Sequence, residues 1–190
     1  MSIAEQSLRT FLEALAARTP TPGGGAVAGV SGATSAALLL MVVRFSKGRP
    51  ELAAHESTLA EAETALERVR TRLLELADED AHAYAQYSAA AKRPKDDPDR
   101  AVALRTAKEA CLGVPTAMGR ELESLARLCT GLTGKVNTHL ESDREVASHL
   151  ALASARSARA MILVNLQGKP GPHAEHLGPV DEAIRVLASG

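Results

Sequence analysis

An uncharged run from Gly23 to Val43 is the strongest constraint on how this chain folds. A helical run of about 20 apolar residues is also long enough to span a bilayer. Most of its residues are Gly, Ala, Ser and Thr rather than Leu or Ile, and no second span or aromatic belt accompanies it. A helix that is apolar on every face is buried. The run therefore predicts the central helix of a bundle or the seam of a dimer.

A loop rich in proline and glycine leads into this run: Thr19-Pro20-Thr21-Pro22-Gly23-Gly24-Gly25. Glycine permits positive φ angles and a close approach of the backbone to a ligand, and free N–H groups at a helix start attract anionic or carbonyl oxygens. The amides of Gly23, Gly24 and Gly25 are therefore candidate binding groups. A simple connector has the same composition, and no Lys-Ser/Thr pair follows at the spacing of a phosphate-binding loop.

The rest of the chain predicts helices and almost no strand. Ala, Leu, Glu and Arg are abundant, and no segment alternates with period two. We expect one domain, residues 1–190, with an all-α fold: a multihelical up-and-down bundle of about six helices. The predicted helices span residues 3–18, 25–45, 50–91, 98–131 with a kink or break at Pro115, 142–166 and 180–188.

Charge and composition exclude several classes of partner. The net charge is −1, with 22 basic and 23 acidic residues spread along the chain, so no field favours nucleic acid or an anionic membrane. Aromatic residues, at 2%, are too few for a base-stacking surface. Cys111 and Cys129 are isolated and lack CxxC spacing, which suits small core residues in a reducing compartment. We expect a cytoplasmic protein without an export leader.

The predicted third helix has a carboxylate in a packing row of leucines. Leucine recurs every seven residues at Leu52, Leu59, Leu66 and Leu73, and the next position in the row is Asp80. Tyr84 and Tyr87 continue the same helix face. A buried carboxylate must be paired or have a shifted pKa, so Asp80 is a candidate functional residue. Alternatively, the row drifts and leaves Asp80 solvated or hydrogen-bonded to a tyrosine.

Asp143 is the second candidate carboxylate. It precedes an apolar row that we expect to face the core: Val146, Leu150, Ala153, Ser157, Ala160 and Val164. Ser142 and Glu145 have the spacing of a capping box, which predicts the helix start at Ser142. An acidic residue near a helix start also stabilises the macrodipole, so a purely local role for Asp143 remains open.

The histidines do not predict a metal site. His139 and Asp143 are four residues apart but straddle the predicted helix start, and His173 and His176 lie in a loop of Gly and Pro. Such positions do not present one rigid set of ligands. The chain also lacks a Gly-x-Ser-x-Gly motif. We expect no metal and no acyl-transfer nucleophile.

Six short motifs follow one another along the chain: the Thr19–Gly25 loop, Asp80-Ala81-His82-Ala83-Tyr84, Lys92-Arg93-Pro94-Lys95, Val114-Pro115, Ser142-Asp143 and Val164-Asn165-Leu166. In this order they resemble the cyclodeaminase half of formiminotransferase-cyclodeaminase and the related stand-alone bacterial methenyltetrahydrofolate cyclohydrolases. The glycine loop and the Ser-Asp pair are the most specific motifs. The resemblance extends over nearly the whole chain.

The resemblance implies a helical homodimer that binds a tetrahydrofolate derivative at the glycine loop, with no cofactor beyond that substrate. The implied reaction is cyclodeamination of 5-formimino-tetrahydrofolate to 5,10-methenyl-tetrahydrofolate, or hydrolysis of the methenyl compound to 10-formyl-tetrahydrofolate. Asp143 is the implied acid/base, with Asp80 as its alternate or as a pterin-orienting acid. The implied substrate contacts are Gly23, Gly24, Gly25, Tyr84, Lys92, Lys95, Asn137, Ser142 and Asn165, with the two lysines at the folate glutamate carboxylates.

The chain departs from the family pattern near Asp143. Members often read Gly-Asn-x-Asn before the Ser-Asp pair, whereas this chain reads Val136-Asn137-Thr138-His139, and the charged Arg144 and Glu145 follow where small residues are usual. Two alternatives therefore stay open: a non-catalytic folate- or pterin-binding relative, and a helical interaction protein whose glycine loop serves dimerisation. Folate affinity distinguishes the interaction protein from the two folate-binding interpretations. Turnover distinguishes the non-catalytic relative from the folate enzyme.

Overall fold

The computed structural model describes residues 2–167 and 175–189. Within these ranges the fold has no strand and consists of α1 (Leu8–Ala16), α2 (Gly24–Ser46), α3 (Glu56–Lys92), α4 (Arg100–Gly131), α5 (Glu141–Asn165) and α6 (Gly178–Ala188). Short 3₁₀ helices precede α1, α3 and α5, at Ile3–Glu5, Pro50–His55 and Thr138–Leu140. The all-α prediction is confirmed.

Helix α2 lies between α3 and α5, and α4 and α6 complete the bundle on the far side of those helices. Its small residues allow this close packing: a Cβ on Gly29 would lie 2.7 Å from the carbonyl oxygen of Leu73. The hydroxyl of Ser154 in α5 donates to the carbonyl oxygen of Ala28 at 2.7 Å. Of the two roles predicted for this run, central helix of a bundle or seam of a dimer, its small residues have the first, because they pack against α3 and α5 inside the protomer.

Helix α2 is also the one helix in the described part of the chain that is long and apolar enough to cross a bilayer. Its mean hydropathy is 2.0, and 61% of the apolar window is buried inside the fold. The packing of α3 and α5 against it accounts for this apolar composition, because a core helix needs no polar face.

The leucine row of α3 lies in the core as predicted. Leu59, Leu66 and Leu73 are fully buried, and the companion residues Val69 and Leu76 are buried beside them. Burial of such side chains contributes about 1.5–3 kcal/mol each relative to an exposed position. This row fixes the orientation of α3, and with it the direction in which the next residue of the row points.

Three helix boundaries differ from the prediction. The first predicted helix is divided because Ser7 begins α1, its hydroxyl accepting the N–H of Thr10 at 3.1 Å. Pro50 starts a 3₁₀ helix rather than α3 itself. Pro115 is buried within α4, which continues on both sides of it instead of splitting.

The predicted inward face of α5 was wrong. Val146 and Val164 are 48% and 64% exposed, whereas the buried residues are Arg144, Ala147, Ala151, Ser154, Ala155, Ala158 and Ile162. Nearly every turn of α5 contains alanine or serine on each side, so the pattern alone does not identify the inner face. Close contact with α2 selects the row of small residues, because interiors pack at nearly crystalline density.

Arg144, one of the two charged residues that depart from the family pattern, is buried against the end of α4. Its guanidinium donates to Glu141 at 2.5 Å and to the carbonyl oxygen of Cys129 at 3.1 Å. A cation near a helix carboxyl end interacts favourably with the macrodipole. Cys129 is fully buried, and burial raises the pKa of its thiol to about 11. The departure at Arg144 is thus accounted for by packing between α4 and α5.

Candidate functional site

A pocket of about 440 Å³ opens at the end of the bundle where α2 begins and α5 ends. Its volume is within the usual range for small-molecule sites. The lining residues come from the glycine loop, four helices and the turn after α5: Pro20, Thr21, Gly23, Gly24, Gly25, Asp80, Tyr84, Tyr87, Lys108, Cys111, Met161, Val164, Asn165 and Gln167. Six residues predicted as site residues therefore meet here: the three glycines, Asp80, Tyr84 and Asn165.

Asp80 is half-buried at the point where the leucine row of α3 reaches the pocket. Burial raises the pKa of its carboxyl group, and a hydrogen bond from the backbone N–H of Ala26 partly opposes that rise. The raised pKa makes this carboxylate a stronger base than a solvated one. The interpretation of Asp80 as a solvated residue is wrong.

The glycine loop approaches Asp80 through Gly25. A Cβ on Gly25 would overlap the Asp80 carboxylate, so only glycine permits this contact. The expected positive φ angles are absent: Gly23 is extended and Gly24 begins α2. In the described part of the chain no protein acceptor meets the N–H of Gly24 or Gly25, so both can donate to a bound group.

Helix α4 contributes two residues that sequence reasoning did not select. Cys111 and Lys108 lie one turn apart and both line the pocket. Burial, and the nearby charge of Asp80, raise the pKa of the Cys111 thiol, which keeps it a neutral thiol. Neither residue interrupts an apolar row of α4. The only indication in the sequence was the expected up-and-down pairing of α3 with α4, which places this part of α4 opposite Tyr84.

Asn165 joins the end of α5 to α4 beneath the pocket. Its side-chain amide donates to the carbonyl oxygen of Cys111 at 2.9 Å and to that of Met161 at 2.8 Å. Pro115 has no N–H, so the Cys111 carbonyl lacks its usual donor four residues on. The Asn165 amide supplies this donor, and the amide oxygen is left as an acceptor beside the pocket.

The walls of the pocket are aromatic and apolar. Tyr84 and Tyr87 form a tilted pair with ring centroids 6.2 Å apart, and Tyr84 is 44% exposed. Met161 and Val164 face them from α5. A flat heterocycle fits between such walls, because aromatic faces and thioethers pack well against planar rings.

Three predicted site residues lie at the opposite end of the bundle. Asp143 and Ser142 are in the first turn of α5, about 33 Å along the helix axis from Asn165. Asn137 caps the preceding 3₁₀ helix, and its own N–H donates to the hydroxyl of Ser46 at the end of α2 at 2.8 Å. Within one protomer, Asp143 and Asp80 therefore do not share a pocket.

The capping-box prediction at Ser142 was also wrong. Helix α5 begins at Glu141 with Leu140 before it, and no side chain caps this start. The 3₁₀ helix at Thr138–Leu140 replaces the predicted cap, because Asn137 accepts the N–H of His139 at 3.1 Å and turns the chain earlier.

Lys92 and Lys95 are exposed where α3 ends, outside the residues that line the pocket. His176 contacts the hydroxyl of Thr116 at 3.1 Å, and His173 lies outside the described residues. No group of three or more His, Cys, Asp or Glu residues is arranged to hold a metal ion within residues 2–167 and 175–189.

Sequence comparison gives one family match. Residues 7–170 match the family model described as formiminotransferase-cyclodeaminase. A methenyltetrahydrofolate cyclohydrolase of Methylorubrum extorquens is 32% identical over 86% of this chain and 80% of its own length. A formimidoyltransferase-cyclodeaminase of Sus scrofa is 31% identical over 87% of this chain, which spans only 31% of that longer protein.

A solved structure has the same fold. The crystal structure of a formiminotetrahydrofolate cyclodeaminase from Thermotoga maritima aligns with a TM-score of 0.88. The alignment covers 99% of this chain and 93% of the other, with 27% sequence identity. The helical arrangement that forms the pocket is therefore shared with that cyclodeaminase.

Proposed function

Because this chain belongs to the formiminotransferase-cyclodeaminase family, we propose that its pocket binds a tetrahydrofolate derivative and transforms the one-carbon unit held at N5 and N10. The chain is a folate one-carbon enzyme. The observation that carries the proposal is the position of Asp80: a half-buried carboxylate next to free helix amides and aromatic walls, in one pocket.

Two reactions share this chemistry. Hydrolysis of 5,10-methenyl-tetrahydrofolate is the first candidate, supported by similarity over most of both chains to a methenyltetrahydrofolate cyclohydrolase. Cyclodeamination of 5-formimino-tetrahydrofolate is the second, supported by the fold shared with a formiminotetrahydrofolate cyclodeaminase. Both pass through a tetrahedral carbon between N5 and N10, so one proton-transfer group serves either reaction.

Asp80 is the proposed proton-transfer group. In hydrolysis, water attacks the methenyl carbon, Asp80 accepts one proton from that water and passes it to N5 as the N5–carbon bond breaks, and the remaining hydroxyl proton is released to solvent as the formyl carbonyl forms. In cyclodeamination, N10 attacks the carbon of the protonated formimino group, and Asp80 takes the N10 proton and passes it to the resulting amino nitrogen, which leaves as ammonia while the methenyl cation keeps the positive charge. The same carboxylate stabilises the cationic amidine by charge.

The polar groups around Asp80 orient the substrate. The N–H groups of Gly24 and Gly25 donate to an oxygen of the pterin, and the free amide oxygen of Asn165 accepts from a ring N–H. Tyr84 packs against the ring system. The folate is the only small molecule the proposal requires, with no further cofactor.

We also propose that two copies pair through the exposed apolar side of α2 and α5. This α2–α5 face comprises Val27, Leu38, Met41 and Phe45 of α2 with Val146, Leu150 and Val164 of α5. Contiguous apolar patches of this kind mark interaction sites. An antiparallel pairing brings Ser142 and Asp143 of the partner subunit towards the pocket of the first, which is the route by which these residues contribute.

The proposed setting is the cytoplasm, where the two free thiols stay reduced. One assay tests the function: the purified protein is given 5,10-methenyl-tetrahydrofolate or 5-formimino-tetrahydrofolate, and the methenyl absorbance is followed. Loss of the signal with the first substrate supports hydrolysis, and its growth with the second supports cyclodeamination. Rates no greater than in buffer with both substrates contradict the enzyme assignment.

A further inference from the structure

The pocket has opposite charges at its two ends. Among the lining residues in the described ranges, Asp80 is the only carboxylate and Lys108 the only cation. Asp80 is half-buried beside the start of α2, whereas Lys108 is exposed on α4. Lys108 lies one turn of α4 away from Cys111, whose pKa is raised in part by the charge of Asp80. The negative group is therefore inside the pocket and the positive group at its mouth.

Lys108 makes no polar contact that would stabilise the fold in the described part of the chain. Across the described ranges it has no hydrogen bond or ion pair, whereas cations such as Arg44, Arg72 and Arg127 are bound to carboxylates. Its long side chain has the reach and freedom to meet a ligand. An unpaired ammonium at a pocket mouth attracts an anionic group, and no protein carboxylate has to be displaced when that group binds.

The pocket continues outward past Lys108. A second cavity of about 320 Å³ adjoins it and shares Lys108, Asn165 and Gln167 with the first. Glu109 is the only carboxylate among the described residues that line this extension, so an anion there is drawn to the side of Lys108. A ligand whose planar part fills the pocket therefore has room for an anionic tail along this groove.

On this basis we propose that Lys108 is a specificity-determining residue that binds the glutamate carboxylate of the folate and so fixes the pterin end against Asp80. The inference rests on the proposed function, because it takes the substrate to be a folate. Such a substrate becomes cationic at its one-carbon unit and is anionic at its glutamate. Binding in the reverse direction would place like charges together at both ends of the pocket.

The role replaces the one predicted for Lys92 and Lys95, which lie outside both cavities. Lys108 acts on binding and orientation and takes no part in proton transfer. We therefore expect substitution to change KM much more than kcat.

The test compares substrates with and without the glutamate. Wild type, Lys108→Gln and Lys108→Arg are assayed with 5,10-methenyl-tetrahydrofolate and with 5,10-methenyl-tetrahydropteroate, which lacks the tail. Arg105→Gln is the matched control, since Arg105 is an exposed cation one turn away on α4 that does not line the pocket. Affinities for tetrahydrofolate and tetrahydropteroate, measured by calorimetry, provide a readout that needs no turnover.

We expect Lys108→Gln to raise KM and Kd for the glutamate-bearing ligands about 10-fold or more, with little effect on the tail-free ones. Lys108→Arg should retain part of the affinity, and Arg105→Gln all of it. An equal loss on both ligands, no loss on either, or the same loss in Arg105→Gln would overturn the proposal. Absence of wild-type turnover with normal, Lys108-dependent binding would overturn the enzyme assignment alone.

Discussion

At the scale of single residues, Asp80 occupies a core position with a charged side chain. The leucine row of α3 ends at Leu73, and one heptad later a carboxylate takes the place of the next apolar residue. Burial makes its ionised form less stable, and the hydrogen bond from the backbone N–H of Ala26 offsets only part of that effect. Such an arrangement costs stability and is retained where the carboxylate has a task.

Asp80→Asn removes basicity while keeping the shape of the side chain. We expect turnover to fall about 10²-fold or more, with substrate affinity little changed, because the amide accepts no proton in the transition state. Asp143→Asn, a matched substitution about 33 Å along α5 from the pocket, should cost less. Steady-state kinetics on both variants decides between them, and a larger loss in Asp143→Asn would return the acid/base role to Asp143.

The same variant should alter the pH dependence of stability. The folded-state pKa of Asp80 is raised above the unfolded value, so its ionisation destabilises the fold as the pH rises through and above 3.8. We expect Asp80→Asn to increase the free energy of unfolding at neutral pH and to match wild type in strong acid. Urea unfolding of both proteins across that pH range tests this. A stability difference that does not vary with pH would contradict it.

Gly25 is the second residue on which the site depends. A Cβ there overlaps the Asp80 carboxylate, so Gly25→Ala should displace Asp80 and lower turnover about 10-fold or more. Gly23→Ala is the control, because a Cβ on Gly23 meets only the carbonyl oxygen of Pro20, at 3.8 Å. Kinetics and melting temperatures are compared for the pair. Equal activity of the two variants would show that close contact at Gly25 is not required.

At the scale of elements, a proline in α4 and an asparagine at the end of α5 form one device. Pro115 leaves the Cys111 carbonyl without a helical donor, and Asn165 supplies the missing hydrogen bond at 2.9 Å. The join holds the carboxyl end of α5 beside α4, where the pocket lies between them. Two motifs that are far apart in the chain are thus physically coupled.

A double-mutant cycle tests this coupling. Asn165→Leu should destabilise the wild type by about 0.5–1.5 kcal/mol, because it removes the exposed hydrogen bond to the Cys111 carbonyl. In a Pro115→Ala background the helix supplies its own N–H, so the same substitution should cost clearly less. Free energies of unfolding by denaturant give the coupling energy, and additive effects would refute the link.

The sequence was informative where helix patterns are strongly amphipathic. The leucine row of α3 identified its buried face and placed Asp80 and Tyr84 in the site. In α5 small residues occur on all sides, so the choice of inner face depended on contact with α2, which no local pattern encodes. Lys108 and Cys111 were missed because only the pairing of α3 with α4 brings them to the pocket.

At the scale of the whole molecule, the bundle leaves an apolar surface uncovered. On the α2–α5 face Phe45 is 63% exposed, and Val146 and Val164 are 48% and 64% exposed. The antiparallel contacts of α2 with α5 put these side chains on one side of the bundle, and Val164 also borders the pocket. A second copy is therefore expected to cover the face and to reach the site.

Phe45→Glu should weaken this association, because pairing would bury an uncompensated carboxylate of each copy in the interface. Val102→Glu is the control, since Val102 is 54% exposed but lies on α4. Light scattering at micromolar concentration reports the masses. A wild-type monomer, or equal masses for the two variants, would argue against the α2–α5 face.

If the dimer holds, mixing the Asp80→Asn and Asp143→Asn proteins should recover activity when Asp143 acts across the interface.

The central helix of this fold begins without a side-chain cap, since Gly23 offers none and the N–H groups of Gly24 and Gly25 have no protein acceptor in the described chain. A bound folate would supply those acceptors and finish the first turn. Folding and substrate supply are then linked: ligand at 100 times its Kd adds about 2.7 kcal/mol to stability. Hydrogen exchange should slow most at the opening turn of α2, so the enzyme's resistance to proteolysis follows the concentration of its own substrate.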